Sequence, residues 1–254
     1  NGHTVERPRS RTPLILLLFT IVVIISIRVT GFNLSTIITR SKELTVILSK
    51  IFHPNFKYFS KVISPLIETI QMSIVGTIIG SLIGLPLAIL ASSNINKNKP
   101  TLLVCRFILS VLRSIPTLYI FALIFSLGPL AGTVAIAVFT IGIVAKMLYE
   151  SIETIDMGPY EAMQSFGAST LQSFWAACMP QILPTYLADC LYCFEINVRA
   201  SSILGYVGAG GLGILIRERT GLRAYSDLGM ILITLFVVVW LIDMINDYLR
   251  SKLS

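Results

Sequence analysis

Three groups of residues in this 254-residue chain are of types that do chemistry. Residues 208–213 read GAGGLG, so Gly208, Gly210 and Gly213 fit G-x-G-x-x-G, the turn whose backbone amides cradle a dinucleotide's phosphates. Gly211 adds to the flexibility of that turn, and Asp227 follows near the distance at which an acidic residue would hold a ribose. Cys190 and Cys193 form C-x-x-C, a spacing used in metal and redox sites. Glu195 and Arg199 stand four apart with the carboxylate first, the favourable order for an ion pair along one helix face. Each group needs a setting. The glycine turn binds a cofactor only between a strand and a helix of a soluble βαβ unit. The C-x-x-C pair needs a second Cys or His pair at zinc spacing. The histidines are His3 and His53, and Cys105 and Cys178 are isolated, so all four thiols read as small apolar side chains.

The composition supplies that setting. Hydrophobic residues make up 54% of the chain and charged residues 13%, about half the share in a soluble domain. Mean hydropathy is +0.81. A chain so poor in charge cannot cover a globular surface. The net charge of +7 sits mainly in tails and between apolar runs, which fits contact with anionic lipid. No basic patch is interleaved with exposed aromatics, so nucleic-acid binding is not supported.

A membrane helix needs about 20 mostly apolar residues. Six segments qualify, near 13–29, 67–91, 102–127, 130–149, 184–204 and 228–249. The first, PLILLLFTIVVIISI, is followed by Arg28 and a polar segment rather than a small-residue cleavage site, so it reads as a retained anchor. In the second, Gly76, Gly80 and Gly84 recur every four residues and line one face where another backbone can approach. An uncharged run of 32 residues between Arg113 and Lys146 is broken at Gly128-Pro129, which predicts two helices there. The fifth contains Asp189, Glu195 and Arg199.

Between the spans, residues 30–66 read as an interfacial amphipathic segment and residues 92–100 as a polar loop. Residues 150–183, with Pro180 and Pro184 nearby, read as helix–turn–helix on the membrane surface. Loop Lys and Arg divide nine against nine between the two sides, so charge leaves the orientation open. No G-x-x-x-x-G-K-[ST] occurs, so energy from ATP would have to come from another chain.

The stretch EAMQSFGASTLQSFWAACMPQILP, residues 161–184, resembles the cytoplasmic coupling loop of ABC importer permeases. Glu161 and Ala162 match its start, Gly167 falls at the family spacing and Pro180 matches its final proline, with Pro184 following. Met163, Ala177 and Met179 replace other apolar residues of the pattern. The stretch LYCFEINVRASSILGYVGAGGLG, residues 191–213, is similar to the phosphonate importer permeases, as are RSIPTLYIFALIF and GPLAGTVAIAVFTIGIVAK. The resemblance covers roughly residues 65–250.

That resemblance implies an all-α integral membrane protein of the MetI-like ABC importer permease fold, with about six transmembrane helices and a cytoplasmic coupling helix. It implies a division into 1–66 (tail, first helix and interfacial segment) and 67–250 (permease core, with the coupling loop at about 150–183). It also implies a multi-pass location in the cytoplasmic (inner) membrane, a second permease copy, two ATP-binding cassette subunits and an extracytoplasmic binding protein. No cofactor or metal is expected on this chain, ATP being bound by the partner, and no catalytic residue. Gly208, Gly210, Gly211 and Gly213 become a steric turn at the outer end of the fifth helix. Glu195, Asn197, Arg199, Ser201 and Ser202, with Arg113 on the third helix, are the expected lining of the pathway. A same-fold permease for another solute, such as methionine, is the alternative. A secondary transporter fits less well, since the chain shows no duplicated halves.

Overall fold

The computed structural model describes residues 12–114, 128–205 and 208–253, the side chains of 34, 36 and 37 excepted. Every regular element among the described residues is helical. The chain divides into two compact units between Ser49 and Lys50. In the first, α1 (Thr12–Val29) has 18 residues with a hydropathy of 2.5 over the span, long and apolar enough to cross a bilayer. It is followed by the short α2 (Leu34–Thr39) and by α3 (Ser41–Phe52), in whose last turn the boundary falls and which carries Lys42, Glu43 and Lys50 among apolar residues.

The second unit is built on α4 (Phe59–Ala91). Its 33 residues span roughly 50 Å at about 1.5 Å each, more than the ~30 Å hydrocarbon layer. The helix begins two turns earlier than the sequence predicts. Pro65 and Lys61 look like a boundary, but Pro65 forfeits only one backbone hydrogen bond. Its carbonyl accepts a bond from Thr69 Oγ1 at 2.8 Å. Packing carries the helix past this point: Val62 is fully buried with Tyr58, Leu212 and Ile231.

After α5 (Lys99–Ser114), residues 115–127 lie outside the described residues, and with them Pro116 and the second half of the predicted third span. The N-terminal residues 1–11 lie outside them too. Gly128, at φ +136°, leads into Pro129 in the first turn of α6 (Pro129–Ile152), so the predicted break is real. The glycine stripe sets how closely α4 and α6 approach. A Cβ at Gly80 would lie 2.6 Å from the Ala137 carbonyl oxygen and 2.6 Å from Thr140 Cβ. A Cβ at Gly76 would lie 2.6 Å from Ile136 Cγ2. Only bare backbone fits such a seam.

Two short helices, α7 (Gly158–Ser165) and α8 (Thr170–Ser173), and a π-turn at Phe174–Cys178 follow. Then α9 runs over Met179–Leu204. It starts five residues before the predicted fifth span, with Pro180 in its first turn, where a missing N–H costs nothing, and Pro184 inside it. The short α10 (Leu212–Gly221) and the long α11 (Tyr225–Leu253) complete the unit. Ala135 and Ile136 of α6 pack with Met72 of α4 and Leu204 of α9 in one core cluster. Ala145 and Leu148 pack with Ala88, Ile182 and Tyr186 in another. Among the described residues, α1, α4, α6 and α11 are long and apolar enough to cross a membrane. The 26-residue α9 is long enough as well, but Asp189, Glu195 and Arg199 make it more polar.

Candidate functional site

At one end of the second unit the chain builds a loop from two stacked turns. Helix α7 stops at Phe166, and Gly167 follows with φ +87°, a left-handed conformation that glycine adopts without steric cost. The Gly167 N–H donates to the Gln164 carbonyl (2.9 Å) and the Ala168 N–H to that of Met163 (3.2 Å), which is the Schellman closure of a helix end. Ser169 then caps α8: its Oγ accepts from the Gln172 N–H, and the Gln172 side chain accepts from the Ser169 N–H. Glu161 and Ala162, on α7, face outward. So do Phe166, 89% exposed, Leu171 and Trp175. Tyr160 and Phe174 anchor the loop in the core below.

A polar clasp beside it ties the end of α6 to the 92–98 loop and α5. The Glu153 carboxylate, at the end of α6, accepts from the Ser93 N–H (2.8 Å) and Ser93 Oγ (2.5 Å) and pairs with Arg106 of α5. Arg106 Nε also donates to the Ala91 carbonyl (2.9 Å), and its guanidinium lies over the Tyr149 ring. Burial raises the Glu153 pKa, but the two Ser93 hydrogen bonds and the Arg106 charge outweigh it and hold the carboxyl below its usual range.

At the opposite end, Gly208, Gly210 and Gly211 all have positive φ, and the Gly128 N–H donates to the Gly208 carbonyl (3.0 Å). Four amides of this turn are already engaged. Gly208 donates to Gly205 and Ala209 to Leu204. Gly211 donates to Glu68 (3.2 Å) and Leu212 to Thr69 Oγ1 (2.9 Å). The Glu68 carboxylate therefore sits against the turn that would have to face a phosphate. Gly213 packs backbone to backbone on Gly205. Asp227, the residue spaced to hold a ribose, is held by Asn55 Nδ2 (2.8 Å) and Arg219 (3.5 Å). All four cysteines are free thiols, and among the described residues no three Cys, His, Asp or Glu side chains converge as metal ligands would.

Between the two ends, α9 separates the residues predicted to line a pathway. Asn197 and Ser201 have no exposure at all. Asn197 Nδ2 donates to Thr77 Oγ1 of α4 and to Thr140 Oγ1 of α6, both at 2.8 Å. Ser73 Oγ of α4 donates to Ser201 Oγ at 3.3 Å. Ser202, also buried, donates to the Arg199 carbonyl of its own helix (2.6 Å). These three are interior groups of the single chain. Arg199 is different: its side chain is 55% exposed, while the side chain of Glu195, with which it pairs, is 9% exposed. Tyr192 and Ile203 are exposed on the same face of the helix. Arg113 is exposed at the end of α5 and packs close to Gly142 of α6. The partners Thr77 and Thr140 escaped the sequence reading. Their signal was present: Thr69, Ser73, Thr77 and Ser81 recur every four residues beside the glycine stripe.

The family described as binding-protein-dependent transport system inner membrane component matches residues 80–254. This chain belongs to it. It is 32% identical to the phosphate-import permease protein PhnE of Mycolicibacterium smegmatis over 89% of its own length and 47% of that relative, so it spans about half of that protein. It is 31% identical to the phosphite transport system permease protein PtxC of Stutzerimonas stutzeri over 85% of its length and 80% of the relative. Among solved structures, a chain of the MetNI methionine ABC transporter in an inward-facing conformation matches with a TM-score of 0.71 and 25% identity, over 79% of this chain and 99% of that one. The chain is thus a multi-pass membrane permease component of the MetI-like fold, and the glycine turn belongs to a membrane helix bundle rather than a nucleotide-binding sheet.

Proposed function

We propose that this chain is the permease subunit of an ABC importer for phosphonate or a related phosphorus oxyanion. Two copies form the path, two ATP-binding cassette subunits bind and hydrolyse ATP, and an extracytoplasmic binding protein delivers the substrate. This chain performs no covalent chemistry and holds no cofactor. The 150–178 loop then lies in the cytoplasm and the GAGGLG turn outside.

The observation that carries this reading is Arg199. A charged side chain in a membrane helix is expensive and faces protein or water rather than lipid. Arg199 is 55% exposed in the isolated chain, so a second copy or an aqueous path must complete its surroundings. Two such arginines across a dimer raise the potential where an anion passes, and the paired Glu195 tempers the attraction so that the anion can leave. The relatives named for phosphate and phosphite support this substrate class. Exposed Phe166, Leu171 and Trp175 on the capped loop support the ATPase as its partner, since helix-in-groove docking buries such side chains.

The test is uptake into proteoliposomes holding the permease, its ATPase and its binding protein, with phosphonate, phosphite, phosphate and methionine compared. Oxyanion uptake without methionine uptake is expected. Preference for methionine would overturn the substrate. Gly167→Val places a β-branched residue at φ +87°, a strain of about 1–3 kcal/mol, and is expected to keep membrane insertion while abolishing binding-protein-stimulated ATPase activity. Full stimulation in that variant would overturn the coupling assignment.

A further inference from the structure

Below Arg199 on the same side of the molecule, a groove of about 410 Å³ opens between α5, α6 and α9. Its polar lining is Arg113, Lys146, Glu150 and Tyr192, and its apolar walls include Phe139 and Ile196. The volume falls within the range of about 300–1,000 Å³ typical of small-molecule pockets. Gly142 and Lys146 stand four apart and share one face of α6. A Cβ at Gly142 would lie 3.0 Å from Arg113 Cγ, so the missing side chain is what lets Arg113 lie across α6 one turn above Lys146. Lys146 is held by Glu150 at 3.1 Å, whereas no carboxylate among the described residues pairs with Arg113. The Tyr192 ring carries the Arg250 guanidinium 5.5 Å from its centre. The groove therefore combines an uncompensated planar donor fork, a cation whose counter-ion can swing away, and a phenol hydroxyl. This is the donor set for a compact tetrahedral oxyanion, with Arg suited to bidentate contact with two of its oxygens.

We propose that this groove is a weak binding site for the transported phosphorus oxyanion within the permease, used after the anion passes Arg199 and before release to the cytoplasm. The proposal rests on the function inferred above. Arg113 supplies the main contact, and Lys146, exchanging Glu150 for the anion, supplies the second. Glu150 then re-pairs with Lys146 as the anion departs, which keeps the site from trapping it.

The test uses the assembled permease–ATPase complex without nucleotide and without binding protein, probed by ligand-observed NMR with methylphosphonate and phosphite. Binding of about millimolar strength is expected. Arg113→Gln should weaken it about tenfold or more, the loss of a hydrogen bond from a charged donor, and Lys146→Gln less. Arg113→Lys should recover part of it, and Tyr192→Phe removes only the hydroxyl. Gel filtration of each complex and its MgATP hydrolysis separate lost binding from lost assembly; if Arg113→Gln does not assemble, Lys146→Gln and Tyr192→Phe decide. Assembled variants that bind and import methylphosphonate like the wild type would overturn the groove while leaving the substrate reading intact. A wild type that imports a different anion, with the same dependence on Arg113, would overturn the substrate reading and leave the groove standing.

Discussion

Helix α9 carries polar residues on two faces, and the two are solved differently. On the inner face Asn197 meets Thr77 and Thr140, and Ser201 meets Ser73, with each residue of that set fully or almost fully buried. Their donors find acceptors within the chain, and the small residues of α4 and α6 let the helices come close enough for this. On the outer face Arg199 is paired with Glu195 yet remains half exposed, beside Tyr192 and Ile203. The contrast separates two uses of polarity in a membrane helix. Groups whose donors are taken up inside the chain fix how helices pack. A charge whose surroundings are unfinished marks where something outside the chain must come.

The largest effect should come from breaking the inner face. Gly80→Val would push a side chain into the Ala137 carbonyl and Thr140, each 2.6 Å from the new Cβ. Backbone cannot step aside, so α4 and α6 must separate, which also draws Thr140 away from Asn197. Overpacking costs about 1–3 kcal/mol, and interhelical hydrogen bonds in membranes about 0.6 kcal/mol each. The variant should show a large loss of folded yield and a lower Tm in detergent. Gly84→Ala, whose Cβ would meet Ala145 N at an ordinary 3.4 Å, should be nearly neutral. A wild-type Tm for Gly80→Val would mean that the seam is not tight.

The outer face should respond in the opposite sense, with transport lost and stability kept. Removing Arg199 alone would leave the buried Glu195 side chain without its partner, and the resulting loss of folded protein would imitate a transport defect. The double change Glu195→Gln with Arg199→Gln removes both charges and keeps roughly the same size. It should assemble with the ATPase and hydrolyse ATP, yet move little anion in the uptake assay. Normal import by the assembled double variant would make the pair structural and place it with Asn197.

This difference between faces also marks the limit of what the residues disclose by themselves. The helices, the break at Gly128-Pro129, the glycine stripe and the turn at Gly167 follow from local chemistry: hydropathy, missing Cβ atoms and fixed spacings. The Glu195–Arg199 pair is legible too, because one helix carries both partners. Asn197 and Ser201 are not, since whether a polar residue faces a seam or a path depends on residues about 60 to 130 positions away. Glu68 and Glu153 escaped for the same reason: their partners, Gly211 and Ser93, come from other elements. The early start of α4 lay hidden behind Pro65, which looks like a stop until Val62 is seen packed against Leu212 and Ile231.

A second Arg–Glu pair sharpens the comparison from outside the membrane, with the smallest expected effect. Arg106–Glu153 resembles Arg199–Glu195 in chemistry, but Glu153 also accepts two bonds from Ser93 and so clasps the 92–98 loop to the end of α6. Its carboxyl is held below the usual range, so the ionised form is favoured in the folded chain. The sign follows. The stabilisation is complete at pH above the ordinary carboxylate range, and it is lost as pH falls through the lowered folded-state value. Hydrogen exchange at the Ser93 amide should therefore remain slow from neutral pH down into mild acid, after correction for intrinsic rates, and quicken only below the ordinary range. Glu153→Gln should quicken it at every pH above the step, match the wild type below it and so erase the step, with transport changed little, because this pair holds a loop and not a path. If the amide shows no acid step, or if Glu153→Gln abolishes uptake as the Glu195 and Arg199 double change should, the clasp and the open face are one coupled system rather than two separate uses of the same ion pair.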